Sequence, residues 1–515
     1  MRYSNYLLLA LPGIISSCQV QVPDIPERPN ILFIFSDDHA THAIGAYGPK
    51  NNNPELYKHV ITPAIDRLAE EGMLFENAFC TNSICGPSRA VILTGKHSHF
   101  NGVLRNNIAF DGSQQTFPKL LQDGGYKTAW IGKWHLFSDP TGFDHWAILT
   151  RINQQGSYYN PIFGTSEGEE PETGYTATLI TDRAIEWMEN NRDPDEPFFL
   201  AYSHKTPHSE WVPGPEEYDL YKDIDLPMPT NFYDDYSYRS SAAKGQAMEI
   251  ATHLTSERLL KFVPPSYLNE EQTARFMEAY GPENEAFFKA NLQGRELAEW
   301  RYQRYIKDYL RSIASMDKEI GRVLDYLDES GLAENTVVIY NSDQGYFLGD
   351  HGWYDKRWMY EESLRLPLII RWPGVTRPGS RNKYKVQNLD FAPMFLHMAG
   401  LGIPEDMQGV SLVPLLTGQE PEEWRKYVYY HYYAYPDWHM VRPHYGIRSD
   451  RYKLIHYYTI DEWELFDLEK DPDEMKSVYK EPEYKDLLSF MKKELEATRV
   501  AEGDTVEMSA PAPGW

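Results

Sequence analysis

The chain has 515 residues, room for one large domain and a smaller one, and its 42% hydrophobic content excludes a disordered protein. Its 50 Lys and Arg against 76 Asp and Glu leave a net charge of −26, which argues against nucleic acid as a partner. Any anionic ligand would have to meet a locally positive pocket on an acidic surface.

Arg2 and the apolar run from Tyr6 to Ile15 read as a targeting segment too short to span a bilayer. Ile15-Ser16-Ser17-Cys18 resembles a bacterial lipoprotein cleavage box, with Cys18 as the lipidated first mature residue; the alternative is an ordinary secretory peptide cut nearby. Either way the protein is exported, to the periplasm or cell surface. Residues 1–18 are the expected signal peptide and 19–28 a short Pro-containing tether.

Ile31 to Phe35 is a continuous apolar run of strand length, the pattern of a strand covered on both faces, and it ends in Ser36-Asp37-Asp38-His39. Thr62-Pro63 opens a helix that stops at Gly72. Pro87 suits a first helical position and Ala90 to Leu93 continue it, which puts Cys85 just before a helix N-terminus, where free N–H groups favour an anion. Arg89, one turn on, can bring its guanidinium to the same point. The stretch reads as a nucleophile in an anion hole; its plain alternative is a buried Cys at a helix start. Cys80 is expected as a small buried apolar residue, with no disulfide framework in the chain.

After a helix around Phe117 to Leu121, Thr128 to Ile131 is a second strand ending in Gly132-Lys133-Trp134-His135. Ile180, Ala184, Ile185 and Met188 have helical spacing before a third strand, Phe198 to Tyr202, which ends in Ser203-His204-Lys205-Thr206-Pro207-His208. Residues 209–300 form an insertion rich in Pro, Tyr and acids, with a helical tail near Glu296 to Leu310. Ile313 to Leu327 keep helical spacing up to Gly331, and Val337 to Tyr340 is a strand ending in Asn341-Ser342-Asp343-Gln344. A strand at Leu366 to Arg371 and a helix at Phe391 to Met398 follow. Alternation of this kind predicts an α/β fold, a large, mostly parallel sheet between helices over 29–425. From about 426 to 505, short strand runs and a final helix from Leu487 to Leu495 predict a smaller α+β subdomain.

Four buried-strand patterns thus deliver polar groups at their carboxyl ends, where open α/β sheets place their sites. Asp37, Asp38, Asp343 and Gln344 are hard oxygen donors suited to Ca²⁺ and not to zinc; the alternative for a sheet-end Asp is a cap on a helix or turn.

Cys85-Gly86-Pro87-Ser88-Arg89 followed by Leu93-Thr94-Gly95 resembles the signature of the type I sulfatases of the alkaline-phosphatase superfamily, and the likeness covers most of the chain. The resemblance implies that a formylglycine-generating enzyme converts Cys85 to Cα-formylglycine (3-oxoalanine). It implies Ca²⁺ on Asp37, Asp38, Asp343, Gln344 and an oxygen of residue 85, with Gln344 where Asn is commoner. Gly132-Lys133-Trp134-His135, Thr206-Pro207-His208 and Asp355-Lys356-Arg357 resemble family segments, which implies that Lys133, His135, His208 and Lys356 join Arg89 around the sulfate. A hydrated aldehyde accounts for the modification: one hydroxyl attacks sulfur and the other later expels sulfate. His208 or Lys356 then protonates the leaving sugar oxygen, and His135 takes the second hydroxyl proton.

Asp343 to Gly352 and Pro443 to Arg448 look like bacterial polysaccharide sulfatases, including N-acetylglucosamine-6-sulfatase-like members. The implied partners are a sulfated glycan and, through a lipid anchor only, a membrane. His204, Asp350, His351 and His444 are candidate sugar contacts or structural groups. Two rival readings are a phosphoester hydrolase of the same superfamily and a noncatalytic glycan-binding lipoprotein.

Overall fold

A computed structural model describes residues 28–190 and 196–507, so Cys18 and nearly all of the expected tether lie outside the described residues. The strand Asn30–Ser36 is apolar along its length because both of its faces are covered. Ile31, Phe33 and Phe35 enter one core with Phe391 and Phe395 of the helix Phe391–Met398. Leu32 and Ile34 enter a second core with Ile65 and Leu68 of the helix Pro63–Glu71 and with Ile180 and Ala184 of the helix Thr176–Asn190.

Phe198–Ser203 and Thr336–Ser342 flank the Asn30–Ser36 strand in parallel. Lys127–Gly132 and then His145–Leu149 continue the parallel block. Outside it the sheet turns mixed: Leu368–Arg371 runs antiparallel to Thr336–Ser342, with only one-turn helices such as Glu361–Leu364 and short strands between the two. Among the described residues, ten strands make up the sheet. The outer strands Met73–Phe75, Gly168–Pro171 and Ser380–Asn382 are three or four residues long, too short for a strand pattern to stand out in the sequence.

Two expected elements are corrected. The helical tail at 296–310 and the helix at 313–327 are one helix of 36 residues, Gly294–Glu329. Its second half packs Met316, Ile320 and Val323 on the sheet, while Tyr302, Tyr305 and Ile306 pack with Trp211 and Leu226 of the insertion. Cys85 is itself the first residue of the helix Cys85–Thr94, with Ile84 as its N-cap, so the helix begins two positions earlier than Pro87 as first helical residue suggests.

The strands Val428–Tyr432, His444–Arg448, Tyr452–Tyr457 and Glu462–Asp467 form a separate antiparallel sheet. One face, with Tyr430, Ile455 and Phe466, lies in the same core as Phe33. The other, with Ile447 and Leu454, is covered by Met491 and Leu495 of the helix Lys485–Ala501.

Candidate active site

Strand register assembles the site. Ser36 pairs with Ser342, Phe35 with Ser203 and Gly132 with Ser203. The loops leaving these strands therefore start almost side by side, at Asp37, Asp343, His204 and Lys133. Gly132 is required at its turn: φ is +108°, and a Cβ would stand 1.8 Å from the Ser203 carbonyl oxygen.

Asp37, Asp38, Asp343 and Cys85 Sγ converge, one atom of each within 4.8 Å of the others, all buried. Burial and the Asp37 charge push the Asp343 carboxyl well above the usual range. Burial, opposed by Lys356 and aided by Asp37, lifts Asp38 to about 6. For Asp37 the upward push of burial is outweighed by Lys133, His208 and Arg89, which hold it low. The Gln344 side-chain oxygen is buried with no partner, while its nitrogen donates to Asp38. Crowded carboxylates beside an unpartnered amide oxygen are a hard donor set that fits Ca²⁺.

Lys356 Nζ lies 3.2 Å from Cys85 Sγ and 2.5 Å from both Asp38 oxygens. Burial and Asp37 push the Cys85 thiol up, so an unmodified cysteine stays protonated and unreactive. The nucleophile helix is tied to the carboxylates by Ser88 Oγ, which donates to the Asp343 carbonyl at 2.5 Å and accepts from Asn388 at 2.9 Å. Asn106 accepts the Gly86 N–H at 2.9 Å.

Arg89 makes direct contacts with the carboxylates. Its guanidinium reaches Asp343 at 3.4 Å and Asp37 at 3.5 Å and donates to the Lys133 carbonyl at 2.9 Å. It stacks over Phe35 and orders the carboxylates from behind. Lys133 pairs with Asp37 and with the Gln155 side-chain oxygen. His208 holds its Nδ1 2.8 Å from the Ser209 carbonyl, leaving Nε2 3.8 Å from Asp38. Burial and the Lys133 charge lower both His208 and His135, so each ring is neutral near pH 7.

The four candidate sugar contacts have different surroundings. Asp350 is buried against Lys50 at 3.0 Å and Asn52 at 2.7 Å. His351 is buried between Asp234 at 3.0 Å and Arg239 at 2.9 Å. His444 accepts the Met359 N–H at 3.2 Å and holds the Arg442 carbonyl at 2.7 Å. Asp350 and His444 hold their polar atoms against protein groups, whereas the buried His351 Nε2 has no partner among the described residues. His204 is buried, edge-on to Tyr202, with both ring nitrogens unpartnered.

Other groups surround Lys356 in the chain and in space. Asp355 accepts the Lys356 N–H at 2.7 Å and faces His439 at 3.0 Å. Arg357 pairs with Asp355 and keeps a buried, unpartnered Nε. Beside His439, Trp438 is 85% exposed. Asp355 and Arg357 flank Lys356 in the chain, a signal available in the sequence; Gln155 and His439 have none.

A model of the sulfatase family matches residues 29–401, and one described as N-sulphoglucosamine sulphohydrolase, C-terminal, matches 349–501. The chain is 44% identical over 497 residues to an N-acetylglucosamine-6-O-sulfatase of Bacteroides thetaiotaomicron, covering 93% of this chain and 88% of that one. It superposes with a TM-score of 0.89, at 43% identity, on the structure of BT4656 in complex with its substrate D-glucosamine-2-N,6-O-disulfate, covering 93% and 99% of the two chains. A phosphonate monoester hydrolase from Silicibacter pomeroyi, 21% identical with a TM-score of 0.69 over 93% and 96% of the chains, shares the fold.

Proposed function

The chain belongs to the sulfatase family and hydrolyses sulfate esters of sulfated carbohydrate; from that premise we propose that its target is the 6-O-sulfate of a glucosamine-type sugar. The relative and the solved complex at 43–44% identity support that position and sugar. The observation that carries the chemistry is the cluster of Asp37, Asp38, Asp343 and Cys85 with Lys356 on its sulfur.

Residue 85 as Cα-formylglycine would supply a hydrated aldehyde that takes up and releases sulfate, and Ca²⁺ on Asp37, Asp38, Asp343 and Gln344 would supply positive charge beside it. The chain's own groups do the rest. Arg89 keeps Asp37 and Asp343 turned toward each other. Lys133 and Lys356 offer ammonium groups to sulfate oxygens. His208, neutral until an anion arrives, takes a proton on Nε2 as the sulfate enters and gives it to the leaving sugar oxygen. His135 accepts the proton whose loss lets sulfate depart. Asp355, Arg357, His439 and the exposed Trp438 form the wall that meets the sugar ring. Export and lipidation at Cys18 belong to the same proposal, and labelled palmitate retained by the wild type but not by Cys18→Ala checks them.

The test is sulfate release from glucosamine derivatives carrying one sulfate at the 2-N, 3-O or 6-O position, with converted, Ca²⁺-loaded protein. Release confined to the 6-O-sulfate is expected. Preferential release from another position would overturn the regiochemistry.

A further inference from the structure

Ile152, Asn153 and Gln154 follow one another at φ +55°, +53° and +60°. Left-handed backbone is unfavourable for a β-branched residue such as Ile152 and persists only where its surroundings impose it. Here Gly156 N–H donates to the Arg151 carbonyl at 2.8 Å, and the Gln154 side-chain oxygen accepts the Phe137 N–H at 2.7 Å. The turn so gripped belongs to the segment 133–137, itself left-handed at His135 (+58°) and Phe137 (+55°). Gln155 then reaches into the site from a half-buried position. Its Oε1 accepts from Lys133 Nζ, and its Nε2 donates to His135 Nε2 at 3.0 Å.

We propose that Gln155 is a positioning residue for sulfate-ester hydrolysis, its one carboxamide fixing the Lys133 ammonium and the His135 ring in a common geometry. The proposal rests on the sulfatase reading above. A carboxamide suits the task because its ends differ: the oxygen accepts from an ammonium, the nitrogen donates to an unprotonated ring nitrogen. The amide N–H lies on the Nε2 lone pair and gives way when Nε2 takes up a proton, so the contact sets the orientation of the ring rather than its charge. Glutamate in this place would satisfy Lys133 and leave His135 without its donor; leucine would satisfy neither. Nearby charge neutralisation does not need the residue, since Lys133 is already paired with Asp37. What Gln155 adds is orientation, and orientation enters kcat before KM.

The experiment is a double-mutant cycle of Gln155→Leu and His135→Ala, with N-acetylglucosamine 6-O-sulfate as substrate and with conversion of residue 85 checked by mass spectrometry. Q155L is expected to lower kcat about tenfold or more with KM within about threefold, and to add less than about twofold to the loss in an H135A background. If Q155L melts well below wild type, Gln155→Glu replaces it in the same cycle, with the same loss expected. Wild-type kcat in the single variant, a rise in KM alone, or multiplicative losses in the double variant would each overturn the proposal. An inactive wild type would instead count against the substrate assignment, so the two failures are distinguishable.

Discussion

Asp343 illustrates how much one side chain carries at this site. It is buried beside two other carboxylates, which raises its proton affinity, yet it also accepts the backbone N–H of Asp38 at 3.0 Å and of Gln344 at 3.1 Å. The charge serves a cation and the hydrogen bonds serve the loop. Asp343→Asn keeps the shape and removes the charge. It is expected to weaken Ca²⁺ binding by at least about 10-fold while the melting temperature in chelator stays near that of wild type. Calorimetric titration with Ca²⁺ measures the first and a thermal melt the second. Unchanged affinity would remove Asp343 from the metal site.

At the scale of elements, the long helix and the C-terminal tail both act by reaching back to the nucleophile's surroundings. Tyr309 of the long helix donates to the Asp38 carbonyl at 2.7 Å and accepts the Ala40 N–H at 2.9 Å, so the helix on which the insertion packs braces the carboxylate loop. The tail closes over the loop that follows the nucleophile helix. Asp504 faces His431 at 2.6 Å and accepts the Tyr429 hydroxyl at 2.6 Å, and the Glu502 carbonyl faces His99 at 2.8 Å. Burial raises the Asp504 carboxyl, but His431 and Tyr429 outweigh it and hold it well below the usual range. A carboxylate with a depressed folded pKa contributes stability above its unfolded value near 4, and that contribution is lost as pH falls through the folded value. Asp504→Asn is therefore expected to cost about 1–3 kcal/mol at pH 7 and progressively less below pH ~4, in denaturant unfolding across that range. A pH-independent difference would show that shape, not charge, matters there.

For the whole molecule, the C-terminal sheet and the large sheet share one hydrophobic core, with Tyr430, Tyr432, Ile455, Tyr457 and Phe466 packed alongside Phe33, Phe391 and Phe395. Burying a large aromatic side chain is worth about 1.5–3 kcal/mol, so neither part keeps its stability without the other. The described protein is expected to unfold in one cooperative transition, moved upward by Ca²⁺ and seen alike by calorimetry and near-ultraviolet circular dichroism. Two separated transitions would contradict a shared core.

The amino-acid sequence by itself determined the central strands, their helices and the carboxylates and cations at the strand ends. Those features are local: an apolar run needs both faces covered wherever it lies, and the residues just after it are delivered to the sheet edge. Tertiary structure decided which polar groups are already spent. Asp350 meets Lys50 from 300 positions away, His351 meets Asp234 from 117, and His444 is closed in beside Met359; none of these pairings leaves a trace in spacing or composition. The short outer strands and the Gln155 turn escaped for the same reason, because their conformation is imposed by partners distant in the chain rather than by their own residues.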